Sequence, residues 1–306
     1  MSKTSRTLQL LIRRTFPAML LLSLVAVSGF AQDAGRSEDR SGPLHGNWAI
    51  KPFKIIGNVY YVGLSDQTSF LITTPQGHFL IDATWETAVP EIRKSIEQLG
   101  FKAKDVKYLL NAHAHSDHVD GLAAMKELTG AKTLVMAGDV PAIADGGASN
   151  SPDHKPQWRP ARVDQTIKDG EQVQLGGVTM VAHLTPGHTK GCTSWSTVTE
   201  ENGKKYNVVF ICSMRVNPGV LLVNNKPYPN IAEDFKKGFS VLKGLPCDIF
   251  LASHGNQFGI TERIKRMEQN PGVNPFIDPA GYKKYVADYE RAFLDELKKQ
   301  GAKASL

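Results

Sequence analysis

Asn111-Ala112-His113-Ala114-His115-Ser116-Asp117-His118 is the stretch around which the rest of the chain is organised. The apolar Tyr108-Leu109-Leu110 before it reads as the end of a buried strand, and residues 119–128, running to Gly130, read as a helix. Three imidazoles and a carboxylate therefore sit where a strand hands over to a helix. His113 and His115 are two apart, so in an extended segment their side chains leave the same side. Asp117 and His118 fall at the turn into the helix and can aim at a second point close by. Neutral imidazole and carboxylate are ligands suited to zinc, at about 2.0–2.2 Å. The competing reading is a polar loop with surface histidines, and two further histidines weigh against it.

His188 stands in Thr185-Pro186-Gly187-His188-Thr189, after an apolar run at 178–184. His254 stands in Ala252-Ser253-His254-Gly255, after Asp248-Ile249-Phe250-Leu251. Each is a strand end followed by a small or turn residue. Together the three strand ends deliver six ligand-type side chains, enough for two Zn2+ per chain. One ion would take His113, His115 and His188; the other would take Asp117, His118 and His254. Three protein ligands per ion leave an open position for water, the pattern of catalytic rather than structural zinc. Asp82, at a strand end, is either an outer partner for one of these imidazoles or an ordinary strand-end carboxylate. His45, His78, His154 and His183 read as loop, hairpin or packing residues.

The H-A-H-S-D-H motif, the Thr-Pro-Gly-His at 185–188 and the late His254 resemble the metallo-β-lactamase superfamily. The resemblance narrows to the subclass B3 enzymes through Phe53-Lys54-Ile55-Ile56-Gly57-Asn58-Val59-Tyr60-Tyr61-Val62-Gly63, Pro75-Gln76-Gly77-His78-Phe79-Leu80-Ile81-Asp82, Gly191-Cys192-Thr193-Ser194-Trp195 and Leu245-Pro246-Cys247-Asp248. It spans residues 48–296. It implies an α/β fold, the four-layer αββα sandwich, with the metals at one edge between the sheets. It also implies zinc-dependent hydrolysis of the β-lactam amide bond of penicillins, cephalosporins and carbapenems by a metal-bound hydroxide, and hence antibiotic resistance.

On this resemblance Asp117 would be catalytic, both ligand and orienting group. The family places polar side chains for the substrate carboxylate just after the strand at 206–212, and there Ser213, a candidate substrate contact, matches the serine that the branch carries where other branches have a metal-binding cysteine. Two positions on, where a hydroxyl is common, this chain has Arg215, which would pair a substrate carboxylate more strongly or else point to solvent. Cys212, one position before Ser213, would offer a thiolate if the alignment shifted, but the six ligands are already complete. The long segment 138–169, with little periodicity, corresponds to a loop bordering the substrate cleft. Trp158 within it is a candidate cleft wall or, equally, a buried anchor. A thioesterase like glyoxalase II or a lactonase of the same superfamily is the first rival; those enzymes add a bridging aspartate at the place of Ser213, and Ile211-Cys212-Ser213-Met214 has none. A secreted zinc-binding protein without catalysis is the second, and it would require closed four-ligand sites.

The chain has 306 residues and a net charge of +6. Four of those charges, Lys3, Arg6, Arg13 and Arg14, lie in a leader with no acidic residue, which leaves +2. That balance, without a basic cluster interleaved with aromatics, excludes nucleic acid as an expected partner. The basic start, the apolar 16–30 and Gly29-Phe30-Ala31 read as a signal peptide, 1–31, cleaved after Ala31. Arg13-Arg14 leaves twin-arginine export open. The expected location is periplasmic or secreted, with no membrane attachment after leader removal, a small-molecule β-lactam as partner, and a monomer as the default. Residues 32–46 read as a flexible segment, and 47–306 as the catalytic domain, with order beginning near Trp48.

Further strands are expected at 59–62, 69–73, 79–82, 133–136, 171–175, 178–184, 194–199, 206–212 and 248–252. Helices are expected where Val89, Ile92, Ile96 and Leu99 recur, where Ile231, Phe235, Phe239, Leu242 and Leu245 recur, from Thr261, and along Tyr282, Tyr285, Tyr289, Phe293 and Leu297. Of three cysteines, Cys192 and Cys212 flank a hairpin around Glu201-Asn202-Gly203. With residue 200 opposite 205 they come near each other, though on opposite faces, so a bridge between them stays open. Cys247 has no downstream partner.

Overall fold

The computed structural model describes residues 44–150 and 154–304. All belong to one compact unit, Asp39–Leu306. The expected leader, its cleavage point and residues 32–43 of the expected flexible segment lie outside the described residues. The next residues are packed: His45 stacks on Trp85 with ring centroids 4.1 Å apart.

The first half runs β1 (Phe53–Ile56), β2 (Val59–Tyr61), β3 (Phe70–Thr74), β4 (Gly77–Ile81), α1 (Val89–Gln98), β5 (Val106–Leu110), α2 (Ser116–Val119), α3 (Leu122–Thr129), β6 (Lys132–Met136), α4 (Val140–Asp145) and β7 (Gln165–Ile167). The second runs β8 (Gln172–Leu175), β9 (Val178–Leu184), β10 (Thr193–Glu201), β11 (Lys204–Ile211), α5 (Ile231–Gly244), β12 (Ile249–Ala252), α6 (Ile260–Gln269) and α7 (Pro279–Ala304). One sheet is ordered β1-β2-β3-β4-β5-β6-β7 and the other β12-β11-β10-β9-β8. In the first, β1 to β4 pair antiparallel and β4 to β7 parallel.

The first sheet is apolar on both faces, and the period of two along its strands sorts side chains between two cores. Phe70, Ile72, Phe79, Ile81, Leu110 and Leu134 face the second sheet, where they meet Trp195, Phe210 and Ile211. Phe70 and Phe210 lie 5.2 Å apart, centroid to centroid. Leu71, Leu80, Leu109 and Val135 face outward onto Ile92 and Ile96 of α1, Leu122 and Met125 of α3 and Ile143 of α4. On the far side α5 and α7 cover the second sheet through Phe235, Phe239 and Phe293. The layers are α, β, β, α, as the sequence leads one to expect.

Two expectations change, and one left open is decided. The helix expected at 119–128 is two helices, α2 and α3, broken at Gly121. There the chain runs against the loop after β4; a Cβ on Gly121 would lie 2.5 Å from the Ala83 carbonyl oxygen. Within the segment expected to be a long loop, α4 and the edge strand β7 form; six and three residues are too short to show a period. The bridge left open by the sequence is present: Cys192 and Cys212 are joined, with Cα atoms 5.8 Å apart. The register is the expected one, Glu200 opposite Lys205. Strict alternation would still put the two sulfurs on opposite faces. Both residues, however, stand just outside the paired strands, where the backbone has left the ladder and alternation no longer holds.

Candidate metal centre

Loops leaving β5, β9 and β12 meet at one edge of the sandwich. Backbone bonds hold them there: Thr193 N–H donates to the Ala112 carbonyl at 2.8 Å, and Thr68 N–H to the Ser253 carbonyl at 3.4 Å. The Trp195 indole N–H adds a third, to the Asn111 carbonyl at 3.1 Å. His115 stands before α2 in extended backbone, and α2 begins at Ser116, so Asp117 and His118 lie in its first turn. Gly187 turns the β9–β10 connection toward His188 at φ +127°, and a Cβ there would lie 2.5 Å from the Phe235 ring. Only glycine serves that position.

The structure brings together His113, His115 and His188 in one group and Asp117, His118 and His254 in another, each with ligand atoms within 4.8 Å of one another. In the second group Asp117 Oδ2 lies 3.4 Å from His118 Nε2 and 3.4 Å from His254 Nε2. The two Nε2 atoms are themselves 3.4 Å apart. An equilateral face of that edge length fits a tetrahedral ion with bonds of about 2.0–2.1 Å, whose ligands stand about 3.4 Å apart. In the first group the three rings stand nearly perpendicular, with centroids 4.6 to 4.9 Å apart. The His113 and His118 centroids are 4.1 Å apart, so the groups adjoin. The donor sets suit zinc.

Outer contacts fix the ring tautomers. Asp82 Oδ2 takes His118 Nδ1 at 3.0 Å, while its Oδ1 accepts the Ala112 N–H at 2.8 Å. Asp82 does this from left-handed backbone, φ 59°, a conformation that marks constrained functional positions. Asp66 does the same for His254 at 3.0 Å and accepts the Asn256 N–H at 2.9 Å. His188 Nδ1 donates to the Arg215 carbonyl at 2.7 Å. In each case the contact holds a proton on Nδ1 and directs Nε2 toward the place of a metal. His113 Nδ1 is buried without a hydrogen-bond partner. Asp66 and the Arg215 carbonyl are not legible in the sequence: one is 188 residues from its histidine, the other is a backbone atom.

Burial, then the neighbouring imidazoles, hold His113 and His188 well below the usual imidazole range. Burial, opposed by Asp117, brings His115 down to about 4. All three are neutral at neutral pH, as ligation requires. Burial also works against charge on His118, but Asp117 and Asp82 outweigh it and push the metal-free His118 up to about 10, so its Nε2 proton leaves when an ion binds. Burial opposes the Asp117 charge too, and His118 overcomes it, so Asp117 is ionised throughout the physiological range.

Ser213 is 2% exposed, and its Oγ accepts the Arg215 N–H at 3.4 Å. The Arg215 side chain is exposed. Burial raises the Tyr289 hydroxyl, the Arg215 charge opposes this and Asp66 reinforces it, so both residues lie within electrostatic reach of one face of α7. Trp158 is not a cleft wall. It is 7% exposed, in the outer core with α3 and α4, its indole lying on Gly147, where a Cβ would meet the ring at 2.4 Å. It is the anchor of its loop. His183 pairs with Ser196 at 2.8 Å, away from both groups.

Residues 62–200 match the family model of the metallo-β-lactamase superfamily. The native FEZ-1 metallo-β-lactamase from Legionella gormanii is 45% identical, covering 83% of this chain and 98% of that one, with a TM-score of 0.80. BJP-1, a subclass B3 metallo-β-lactamase of Bradyrhizobium japonicum, is 34% identical, covering 84% and 97%, with a TM-score of 0.78. A hydroxyacylglutathione hydrolase of Pseudomonas aeruginosa is 39% identical over 83 residues, 27% of this chain. The chain matches about a quarter, 25%, of the length of that relative.

Proposed function

The chain belongs to the metallo-β-lactamase superfamily and resembles its subclass B3 members, and from that premise we propose that it hydrolyses the amide bond of β-lactams with two zinc ions. The observation that carries this reading is the pair of three-ligand groups at one edge, each one short of a closed tetrahedral set. His113, His115 and His188 would hold one ion, and Asp117, His118 and His254 the other. Zinc supplies a water acidified toward neutral pH and a Lewis acid for the carbonyl oxygen.

The chain's own residues do the rest. Asp117, ionised, is the acceptor that orients the attacking water's proton. Water adds to the lactam carbonyl carbon, the C–N bond breaks, and the ring nitrogen takes up a proton. Asp82 and Asp66 keep His118 and His254 in the ligating tautomer. Arg215, exposed beside the first group, pairs the carboxylate of the substrate. Ser213, buried beneath it, supports the turn through its contact with the Arg215 N–H.

The local match to a hydroxyacylglutathione hydrolase supports the shared metal motif. A thioesterase reading lacks the additional aspartate at Ser213. Cys212 offers no thiolate, since it is bonded to Cys192. That disulfide also supports export to an oxidising compartment, the periplasm or the exterior. Among the described residues no helix is long and apolar enough to cross a membrane. The test is hydrolysis of a carbapenem by the purified mature chain, with chelator and after zinc is restored. Turnover that is lost and regained supports the reading. A folded, zinc-loaded protein without turnover refutes it and directs attention to ester and lactone substrates.

A further inference from the structure

We propose that Asp139 is a positioning residue for the His113, His115 and His188 group, tying the loop that carries the first two to the loop that carries the third. The proposal rests on the metal-centre reading above. Asp139 is 3% exposed. Its Oδ2 accepts the N–H of Ala114, the residue between His113 and His115, at 2.9 Å. The same oxygen accepts the hydroxyl of Thr189, the residue after His188, at 2.7 Å. Its Oδ1 accepts the Gly191 N–H at 2.8 Å. All three partners donate, so only a group that accepts on both oxygens satisfies them, and that is a carboxylate.

Two further observations assign these bonds to the centre rather than to the fold at large. Asp139 occupies the residue before α4, where an aspartate ordinarily caps the helix, yet its side chain makes no cap bond there. Its oxygens are turned instead to the two histidine loops. The approach is also built for contact: a Cβ on Gly138 would lie 2.5 Å from the Lys190 carbonyl, and one on Gly191 would lie 2.7 Å from the Asp139 carboxyl carbon. The backbones therefore touch through two facing glycines.

The need for such a brace differs between the groups. His118 and His254 are each gripped on the ring by a carboxylate, Asp82 or Asp66. No described carboxylate bonds the rings of the first group; His188 has the Arg215 carbonyl and His113 Nδ1 has no partner. Alignment there falls to the backbone on either side of the ligands, which is where Asp139 acts. In Asp139→Asn the amide NH2 must face at least one donor, leaving a mismatch between the loops.

The test titrates zinc into apo-protein in two backgrounds. His254→Ala leaves the first group intact, and His188→Ala leaves the second. Asp139→Asn is expected to weaken zinc by about 10–100-fold in the His254→Ala background, the usual cost of an outer-contact change, and to leave the His188→Ala background unchanged. Unchanged affinity in the first, or equal weakening in both, overturns the proposal. If Asp139→Asn does not fold, Thr189→Val removes one donor alone; the same selectivity, smaller in size, is expected, and the same two outcomes overturn it. A wild-type chain that fails to bind two zinc ions counts against the metal centre itself. A wild type that binds two, matched by the variant, counts against Asp139 only.

Discussion

Replacing Asp66 by asparagine should damage the Asp117, His118 and His254 group more than replacing it by alanine. In the native chain the Asp66 carboxylate accepts from His254 Nδ1 at 3.0 Å and from the Asn256 N–H at 2.9 Å. Asparagine has one acceptor and one donor end. If its oxygen keeps the Asn256 N–H, its NH2 faces Nδ1 and draws the imidazole proton to Nε2, the atom that should ligate. If the amide flips, its NH2 meets the Asn256 N–H, two donors in contact. Alanine leaves Nδ1 to water, which reaches it because the Asp66 and His254 side chains are 31% and 21% exposed. A hydrogen bond to a charged group is worth about 1.5–3 kcal/mol, and partial exposure places alanine at the lower end, about tenfold in zinc affinity. Asparagine adds the tautomer mismatch and should reach about 100-fold, the upper range for outer contacts. The assay is zinc competition with a chromophoric chelator in the His188→Ala background, with the fold checked by circular dichroism. Affinity in Asp66→Asn equal to wild type, or weaker binding in alanine than in asparagine, would refute the tautomer argument.

Arg215→Ala should raise KM by about tenfold with kcat little changed, the loss of one exposed charge-assisted contact. Zinc content should stay at the wild-type level, because His188 is held by the Arg215 carbonyl and not by its side chain; loss of zinc would point to a structural role. Cys192→Ser with Cys212→Ser opens a loop of sequence separation 20, which removes about 3 kcal/mol of constraint on the unfolded chain. At this size Tm should fall by about 6–10 °C in a thermal melt, and a shift below about 2 °C would contradict the bridge. Burial, then the Asp248 charge, pushes the Cys247 thiol up to about 12. At pH 8 it should therefore alkylate far more slowly than free cysteine until the chain is unfolded, when mass spectrometry should count one modification without reductant and three with it.

What the sequence by itself determined was whatever repeats or lies close together along the chain. Period-two and period-3.6 patterns marked most strands and the long helices, because a buried face must recur at the pitch of its element. Four of the six candidate ligands fall within residues 113–118, and the other two declare themselves by strand-end settings, so the make-up of both groups was legible before any coordinate. β7 and α4 escaped because Gln165-Thr166-Ile167 holds one apolar residue and the six residues of α4 span under two turns, so neither shows a recurring face.

The tertiary structure decided what depends on approach between distant segments. Asp66 reaches His254 only because the β2–β3 loop lies along the end of β12, and Asp139 reaches both histidine loops only where Gly138 and Gly191 let backbones touch. The Cys192–Cys212 bridge forms where the chain leaves the ladder, a place the alternation rule does not govern. Trp158 is an anchor because α3, α4 and Gly147 enclose it, and nothing in its neighbouring residues distinguishes that from a cleft wall. Ligand type is a property of the residue and is written in the chain. Ligand orientation is a hydrogen bond to a partner far away in sequence, and only the packed fold selects that partner.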